Sequence, residues 1–266
     1  MAEATSYVDT NKTERSTVTV SVVSHGHGDL IAPLVRTLLR DPSVSEVILT
    51  LNTFESVDIP ENERVRRIQN EAPQGFAANH NQAFTYCKTP YFCVLNPDIF
   101  LSKNIFSELV SHLVDCDAAI AAPTVISPAG NTEDSWRDFP TFTNLIAKAC
   151  GNDTSIHKPV VAAVVDYPDW VAGMCLLFGR DAYQQLGGFD EGFFLYYEDV
   201  DICVRAWKAG LRVIGCRDVQ VTHDARRASR TSLRHMRWHL SSMGRYFFKY
   251  LWRLPHKKQS QAAKEP

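Results

Sequence analysis

The feature that most constrains this chain is an alternation of short β-rich apolar runs with stretches of helical periodicity. Strand-like runs fall at residues 17–24, 46–51, 65–70 and 91–95. Between them a helix is expected over 29–40, capped by Asp29. Another follows Gly75, where Phe76, His80, Ala83, Phe84 and Cys87 recur at helical spacing. Parallel strands need long crossover connections, usually helices, so this order predicts an α/β fold with a mostly parallel, Rossmann-like sheet flanked by helices.

Farther along, residues 124–166 are interrupted by Pro128, Gly130, Pro140, Gly151 and Pro159 and read as loops and short elements. Order returns with an apolar strand over 171–178 and a short helix ending at Gly187 and Gly188. A helix then starts near Glu198, with Val200, Cys203, Val204 and Trp207 on one face and Gly210 as its stop. Two strand-like pieces, 212–216 and 219–223, lead into a long final helix. With 266 residues and no internal repeat, the expected organisation is a disordered segment 1–16, one domain over 17–230 and a basic amphipathic helix and tail over 231–266. The N-terminus has no basic segment leading into an apolar run, and nothing approaches the roughly 18 apolar residues of a spanning helix. The chain is therefore expected to fold in the cytosol. Seven cysteines stand singly without a CxxC pair, which favours reduced, buried thiols over disulfides or a zinc site. A formal net charge of −2 gives no reason to expect a nucleic-acid partner.

In an open parallel sheet, ligands bind beyond the carboxyl ends of the strands. The run 91–95 leads directly into Asn96-Pro97-Asp98, where Pro97 enforces an extended turn. A carboxylate there can hold a hard divalent cation whose shell is completed by water and a substrate's phosphate oxygens. The same tripeptide also serves as a plain strand-ending turn. A second cluster, Gly188 to Asp201, interleaves five carboxylates with five aromatics. A helix beginning at Glu198 leaves Glu198 and Asp199 at its mouth, where the helix dipole favours ionisation and aromatic desolvation opposes it, the setting of a poised base. Helix capping by the same two acids is the simpler alternative.

A strand running into Asn-Pro-Asp, then Trp170-Val171-Ala172-Gly173, then the segment Gly187 to Asp201, in this order, resembles the family 2 glycosyltransferases, especially their rhamnosyltransferase-like branch. The resemblance implies the GT-A (nucleotide-diphospho-sugar transferase) fold and an inverting transfer of a sugar from a nucleoside-diphosphate donor. The expected donor is dTDP-rhamnose, the acceptor a glycan or lipid-linked glycan, and the setting cell-surface polysaccharide biosynthesis. It implies that Asp98 and His223 hold Mg²⁺ or Mn²⁺ on the donor diphosphate, beside Asn96, which replaces the first Asp of the family's DxD motif. Asp199 becomes the general base, with Glu198 sharing or orienting that role, and Trp170, Gly173, Asp190 and Glu191 fall on the acceptor side. The loop carrying Ser24 and His25 would lie against the nucleobase, with Gly75, Asn79 and Asn81 lining the donor pocket. Many relatives end the second strand with Asp-Asn-x-Ser, whereas here Asn52 stands alone to contact the base. Two other readings use the same residues. A catalytically silent scaffold that binds sugar nucleotides or membranes would not need Asp98 and Asp199 intact, and a nucleotidyltransferase would need a Gly- and Lys-rich N-terminal loop that is missing.

From Arg226 to Lys258 the chain carries ten Lys and Arg residues and no acid, while Leu233, Met236, Leu240, Met243, Phe247, Tyr250, Leu251 and Leu254 recur at helical spacing. This pattern reads as a helix that packs on the domain by its first turns and touches an anionic membrane near its end, a peripheral placement at the inner face of the plasma membrane. Arg226 and Arg230, just after His223, are also placed to meet the donor diphosphate. The oligomeric state is left open, a homodimer included.

Overall fold

The structure, a computed structural model, describes residues 17–59, 61–149, 163–224, 233–250 and 253–255. The expected strand–helix alternation builds one twisted sheet. Strands β1 (Val18–Ser24), β2 (Val44–Leu51), β3 (Val65–Gln69) and β4 (Tyr91–Leu95) pair in parallel in the order β3-β2-β1-β4. Helices α1 (Ile31–Arg40) and α2 (Phe76–Phe84) make the crossovers. Asp29 does not cap α1; it lies in a 3-10 turn, Gly28–Leu30, that leads into the helix, and the N-cap residue is Leu30.

The sheet is extended by three elements that lacked clear signals: β5 (Ile99–Phe100), α3 (Phe106–Asp115) and β6 (Ala118–Ile126). β6 is nearly all small or β-branched apolar residues, a continuous run that reads as a buried strand only once its neighbours are known. Within the interrupted region lie β7 (Trp136–Arg137), helix α4 (Phe142–Ala149) and β8 (Val165–Asp166). Residues 171–178, expected as one strand, divide into β9 (Trp170–Val171), a loop, and β10 (Cys175–Gly179). After α5 (Arg180–Gln185) and α6 (Glu198–Lys208), the two expected pieces form one long strand, β11 (Arg212–His223), with a register shift between Cys216 and Gln220. Helix α7 (Leu233–Tyr250) follows. Contrary to the expectation that its first turns pack and its end is free, Leu233, Met236 and Leu240 are exposed while Tyr246 and Tyr250 are buried, because the later turns are the ones that lie against α6 and Asp201.

One departure from a parallel sheet positions the site. β10 inserts antiparallel between β4 and β6, pairing Cys175 with Leu95. The start of β10 therefore lies beside the carboxyl end of β4, and Asn96 N donates to Met174 O at 2.9 Å. β11 runs parallel to β6, and its end pairs antiparallel with β5, His223 opposite Ile99. Both faces of the sheet are apolar, as period-2 alternation requires. In β4, Cys93 and Leu95 join a cluster with α1 and α3, while Phe92 and Val94 join one with α2, α5, α6 and α7. β1 puts Val18, Val20 and Val22 on the first face; the buried Thr19 and Ser21 on the other meet the Thr89 hydroxyl and His80 Nδ1, each at 2.8 Å. Among the described residues no helix is long and apolar enough to cross a membrane.

Candidate active site

Pro97 ends β4 and leaves Asp98 at the carboxyl edge of the sheet. Asp98 O accepts a hydrogen bond from Asp224 N, and Asp98 Oδ2 lies 3.2 Å from His223 Nε2. On its other side His223 Nδ1 is 2.8 Å from Glu133 Oε2. The hydrogen bond to Asp98 raises the imidazole pKa to about 9; burial opposes this, and Glu133 adds to the rise. Asp98 Oδ1 is buried and makes no hydrogen bond among the described residues. Asp98 and His223 are thus brought together, 125 residues apart. Glu133, supplied by the turn after β6 and held by Glu133 N donating to Val125 O, carried no sequence signal, since a lone acid in a Pro- and Gly-rich stretch looks like solvated surface. Among the described residues no three His, Cys, Asp or Glu side chains form a ready metal cage.

The acidic-aromatic segment is divided among several tasks. Tyr196 and Tyr197 both take left-handed backbone, with φ of 72 and 68, a conformation that costs a bulky residue on the order of 1–3 kcal/mol. Their surroundings enforce it: Phe194 O accepts from Phe76 N at 2.9 Å, and Ser242 Oγ donates to Leu195 O at 2.8 Å. The reversal delivers Glu198 and Asp199 to the first turn of α6. Asp199 Oδ2 accepts from Gly173 N at 3.0 Å, and Oδ1 accepts from Val200 N at 2.8 Å. Burial raises the Asp199 pKa, and these N–H groups only partly offset it. Glu198 is 4% exposed and its Oε2 makes no hydrogen bond among the described residues. Burial first, then the charges of Asp199 and Asp201, push its carboxyl well above the ordinary range.

Both acids open onto a cavity of about 320 Å³ whose walls include Arg137, Trp170, Tyr196, Tyr197 and His239. Trp170 Nε1 donates to Asp138 O at 3.0 Å, which fixes the indole as one wall. Asp98 lies outside this lining. It is joined to it through residues 172–174, which meet Asn96 on one side and Asp199 on the other. Arg137 and His239 are cavity residues that the sequence pattern did not single out; a basic residue in a loop or on a helix face has no distinguishing signature before folding.

Two acids expected on the acceptor side point elsewhere. Asp190 accepts from Arg245 Nη2 at 3.0 Å and Lys249 Nζ at 2.7 Å. Burial opposes its ionisation, but Lys249, the Gly192 N–H and Arg245 outweigh it and hold the pKa at about 2. Asp190 therefore anchors α7, because these cations reach it first. Exposed Glu191 accepts from Asn81 Nδ2 at 2.9 Å. Asp201, fully buried, meets Arg205 Nε at 2.7 Å, Lys249 Nζ at 2.5 Å and the Tyr250 hydroxyl at 2.6 Å.

The expected donor residues gather around the β1 and β2 loops. Gly26 N and Gly28 N each donate to the Glu55 carboxylate at 3.0 Å, while His27 N donates to Ser24 Oγ at 3.3 Å. Burial works against Glu55 ionisation, yet the Ser24 hydroxyl and these N–H groups lower its pKa overall. His25 is exposed, its Nδ1 3.1 Å from Asn52 Nδ2. Asn52 Oδ1 accepts from Asn70 Nδ2 and Gln74 N, both at 2.8 Å, and Asn79 Oδ1 accepts from Asn70 Nδ2 at 2.7 Å. Asn52 and Asn79 are buried, and their amides are bonded within the protein. Gly75 is required by close approach: a Cβ there would fall 2.6 Å from Phe194 O. Asn96 keeps its place at the end of β4, and Arg226 and Arg230 lie outside the described residues.

Residues 15–241 match the family model described as glycosyltransferase like family 2. The chain is 28% identical over 243 residues to rhamnosyltransferase WbbL of Escherichia coli (strain K12), covering 86% of this chain and 92% of that one. A shorter stretch of 54 residues, 20% of this chain and 18% of the other, is 46% identical to an N-acetylglucosaminyl-diphospho-decaprenol L-rhamnosyltransferase of Mycobacterium tuberculosis (strain ATCC 25618 / H37Rv). Two solved structures share the fold at 16% identity. One is GalNAc-T7 with UDP, GalNAc and Mn²⁺ (TM-score 0.62, 79% of this chain and 43% of that one). The other is the mannosyltransferase PcManGT of Pyrobaculum calidifontis with GDP-Man and Mn²⁺ (TM-score 0.56, 92% and 73%). The chain belongs to glycosyltransferase-like family 2 and is a glycosyltransferase with a GT-A fold.

Proposed function

We propose that this transferase moves L-rhamnose from dTDP-rhamnose to a hydroxyl of a lipid-linked glycan, with inversion at the anomeric carbon. The observation that carries the reading is the presentation of Asp98 with His223, and of Asp199, on the two sides of the 172–174 loop. A single displacement needs opposite chemistry on two faces of the sugar, and this loop separates a cation-binding carboxylate from a basic one. The relatives' names, both rhamnosyltransferases and one acting on a diphospho-decaprenol, support the choice of donor and acceptor.

Asp98 Oδ1, buried without a hydrogen bond among the described residues, and the adjacent His223 Nε2 suit Mg²⁺ or Mn²⁺, a cation that completes its shell with phosphate oxygens and water. When bound, such a cation neutralises charge on the departing diphosphate. Glu133 accepts from His223 Nδ1–H and so presents Nε2 toward Asp98. On the other face, Asp199 takes the proton of the attacking hydroxyl. Its raised pKa lifts its basicity, while the Gly173 and Val200 N–H groups hold its orientation. A base of this kind contributes about 10²–10⁴ in rate. Glu198, favoured in its protonated form, keeps a second negative charge from forming beside it. Trp170 offers the acceptor sugar a flat apolar face. Ser24 and His25, with Asn52 and Asn79 bracing the wall behind them, border the nucleotide.

The test is a panel of nucleotide sugars offered with Mn²⁺ or Mg²⁺, scored by thermal shift and by release of nucleoside diphosphate. dTDP-rhamnose is expected to give the largest response with either metal. Transfer that persists unchanged in Asp98→Ala and Asp199→Asn would remove the mechanism.

A further inference from the structure

Helix α7 has two faces with different occupants. Its inner face reaches the site: Ser242 holds Leu195 O, Arg245 and Lys249 hold Asp190, and His239 lines the cavity. Its outer face carries large apolar side chains that are exposed among the described residues. Leu233 is 82% exposed, Met236 57%, Leu240 54% and Phe248 90%, and at 100° per residue these four fall on one side of the helix, opposite the buried Ser242, Tyr246 and Tyr250. A single exposed leucine means nothing, but a stripe of large apolar side chains along a helix is an interaction surface.

The stripe continues onto one wall of the cavity. Phe142, 53% exposed, stacks on Phe247 at 4.2 Å between ring centroids, and it begins the helix whose Asn144 and Leu145 line the cavity. Phe194, 38% exposed, borders the other wall and leans on Trp238 at 4.8 Å, on the side of α7 away from the stripe. The wall that begins at Phe142 is therefore the one continuous with the stripe.

Charge selects the occupant. Arg234 and Arg237 are exposed beside the stripe, and the sequence has no acid between Asp224 and Glu265. A symmetric contact between two copies would bring two such basic faces together. An anionic bilayer complements them and accepts the apolar side chains as well. We infer that the outer face of α7, with Phe142, docks on an anionic membrane surface and sets the Asp199 cavity beside the lipid headgroups. The part of this inference that concerns a membrane-held acceptor rests on the proposed function; the docking itself does not.

Flotation of the full chain separates the two. Vesicles of phosphatidylcholine alone are compared with vesicles of phosphatidylcholine and phosphatidylglycerol in equal parts, at low and high salt. The protein is expected to float with the anionic vesicles and to be released by salt. Leu240→Glu with Phe248→Glu should lower the bound fraction about tenfold without lowering the melting temperature. Arg234→Gln with Arg237→Gln should reduce binding to the level seen with neutral vesicles. Equal flotation of the variants and the parent, or no preference for anionic vesicles, would overturn the inference. So would a dimer seen in sedimentation velocity that Phe248→Glu dissociates while the parent ignores vesicles, which would assign the stripe to a second copy. A chain that floats but turns over no nucleotide sugar would sink the transferase mechanism and leave the docking intact; one that transfers sugar but never floats would do the reverse.

Discussion

The backbone N–H of Gly173 donates a 3.0 Å hydrogen bond to Asp199 Oδ2, and this contact joins the loop before β10 to the first turn of α6. The loop also touches Asn96 through Met174 O, so a single short segment connects the carboxylate read as the base to the strand end that carries Asp98. Its position follows from β10 running antiparallel beside β4, which brings a strand start to an edge otherwise made of strand ends.

Asp199→Asn keeps the shape and one of the two backbone contacts, since its Nδ2 cannot accept from a second N–H, and it removes the proton acceptor. Turnover should fall about 10²–10⁴-fold, while the thermal shift induced by the nucleotide sugar persists. An equal loss of donor binding would mean that Asp199 holds the donor and does not act as the base.

Glu133→Gln leaves His223 without a carboxylate on Nδ1. The affinity for Mn²⁺ in the presence of a nucleoside diphosphate, read by Mn²⁺ electron paramagnetic resonance, should weaken about 10–100-fold. The metal concentration for half-maximal turnover should rise in parallel. Unchanged Mn²⁺ affinity would separate Glu133 from the metal.

His223 predicts a pH dependence of stability in the metal-free protein. Its folded pKa of about 9 lies above the ordinary 6.5, so the protonated ring stabilises the fold fully below pH 6.5 and this contribution disappears as pH rises through 9. His223→Gln should lower the melting temperature at pH 6 by several degrees and have little effect near pH 10. A constant difference across that range would contradict the assignment.

Asp201→Ala strips Arg205 and Lys249 of a fully buried partner. Breaking a buried pair from one side costs about 3–5 kcal/mol. Denaturant unfolding should show this loss, and limited proteolysis should cut within α7 sooner than in the parent, since Lys249 and Tyr250 hold that helix to α6 through this carboxylate.

Gly75→Ala would place a Cβ 2.6 Å from Phe194 O, against backbone that is already tied to Phe76 N. The expected loss is about 1–3 kcal/mol, measured by thermal denaturation, together with reduced turnover, because the displaced segment leads into Tyr196, Tyr197 and the acidic pair.

Much of this was readable before folding. Strand and helix periodicity placed β1 to β4 and α6, since a buried strand face and a helix stripe must repeat along the chain itself. Asn-Pro-Asp at a strand end and the Glu198-Asp199 pair at a helix mouth stood out because proline geometry and helix termini are local. Partnership was not local. That His223 lies between Asp98 and Glu133, that Asp190 anchors α7 while Asp199 faces the cavity, and that Asn52 and Asn79 are satisfied internally were decided by which strands pair and in which direction. A carboxylate looks the same in a sequence whether a lysine from 59 residues away or a solvent-filled cavity awaits it, because its surroundings exist only after the sheet has closed around its antiparallel strand.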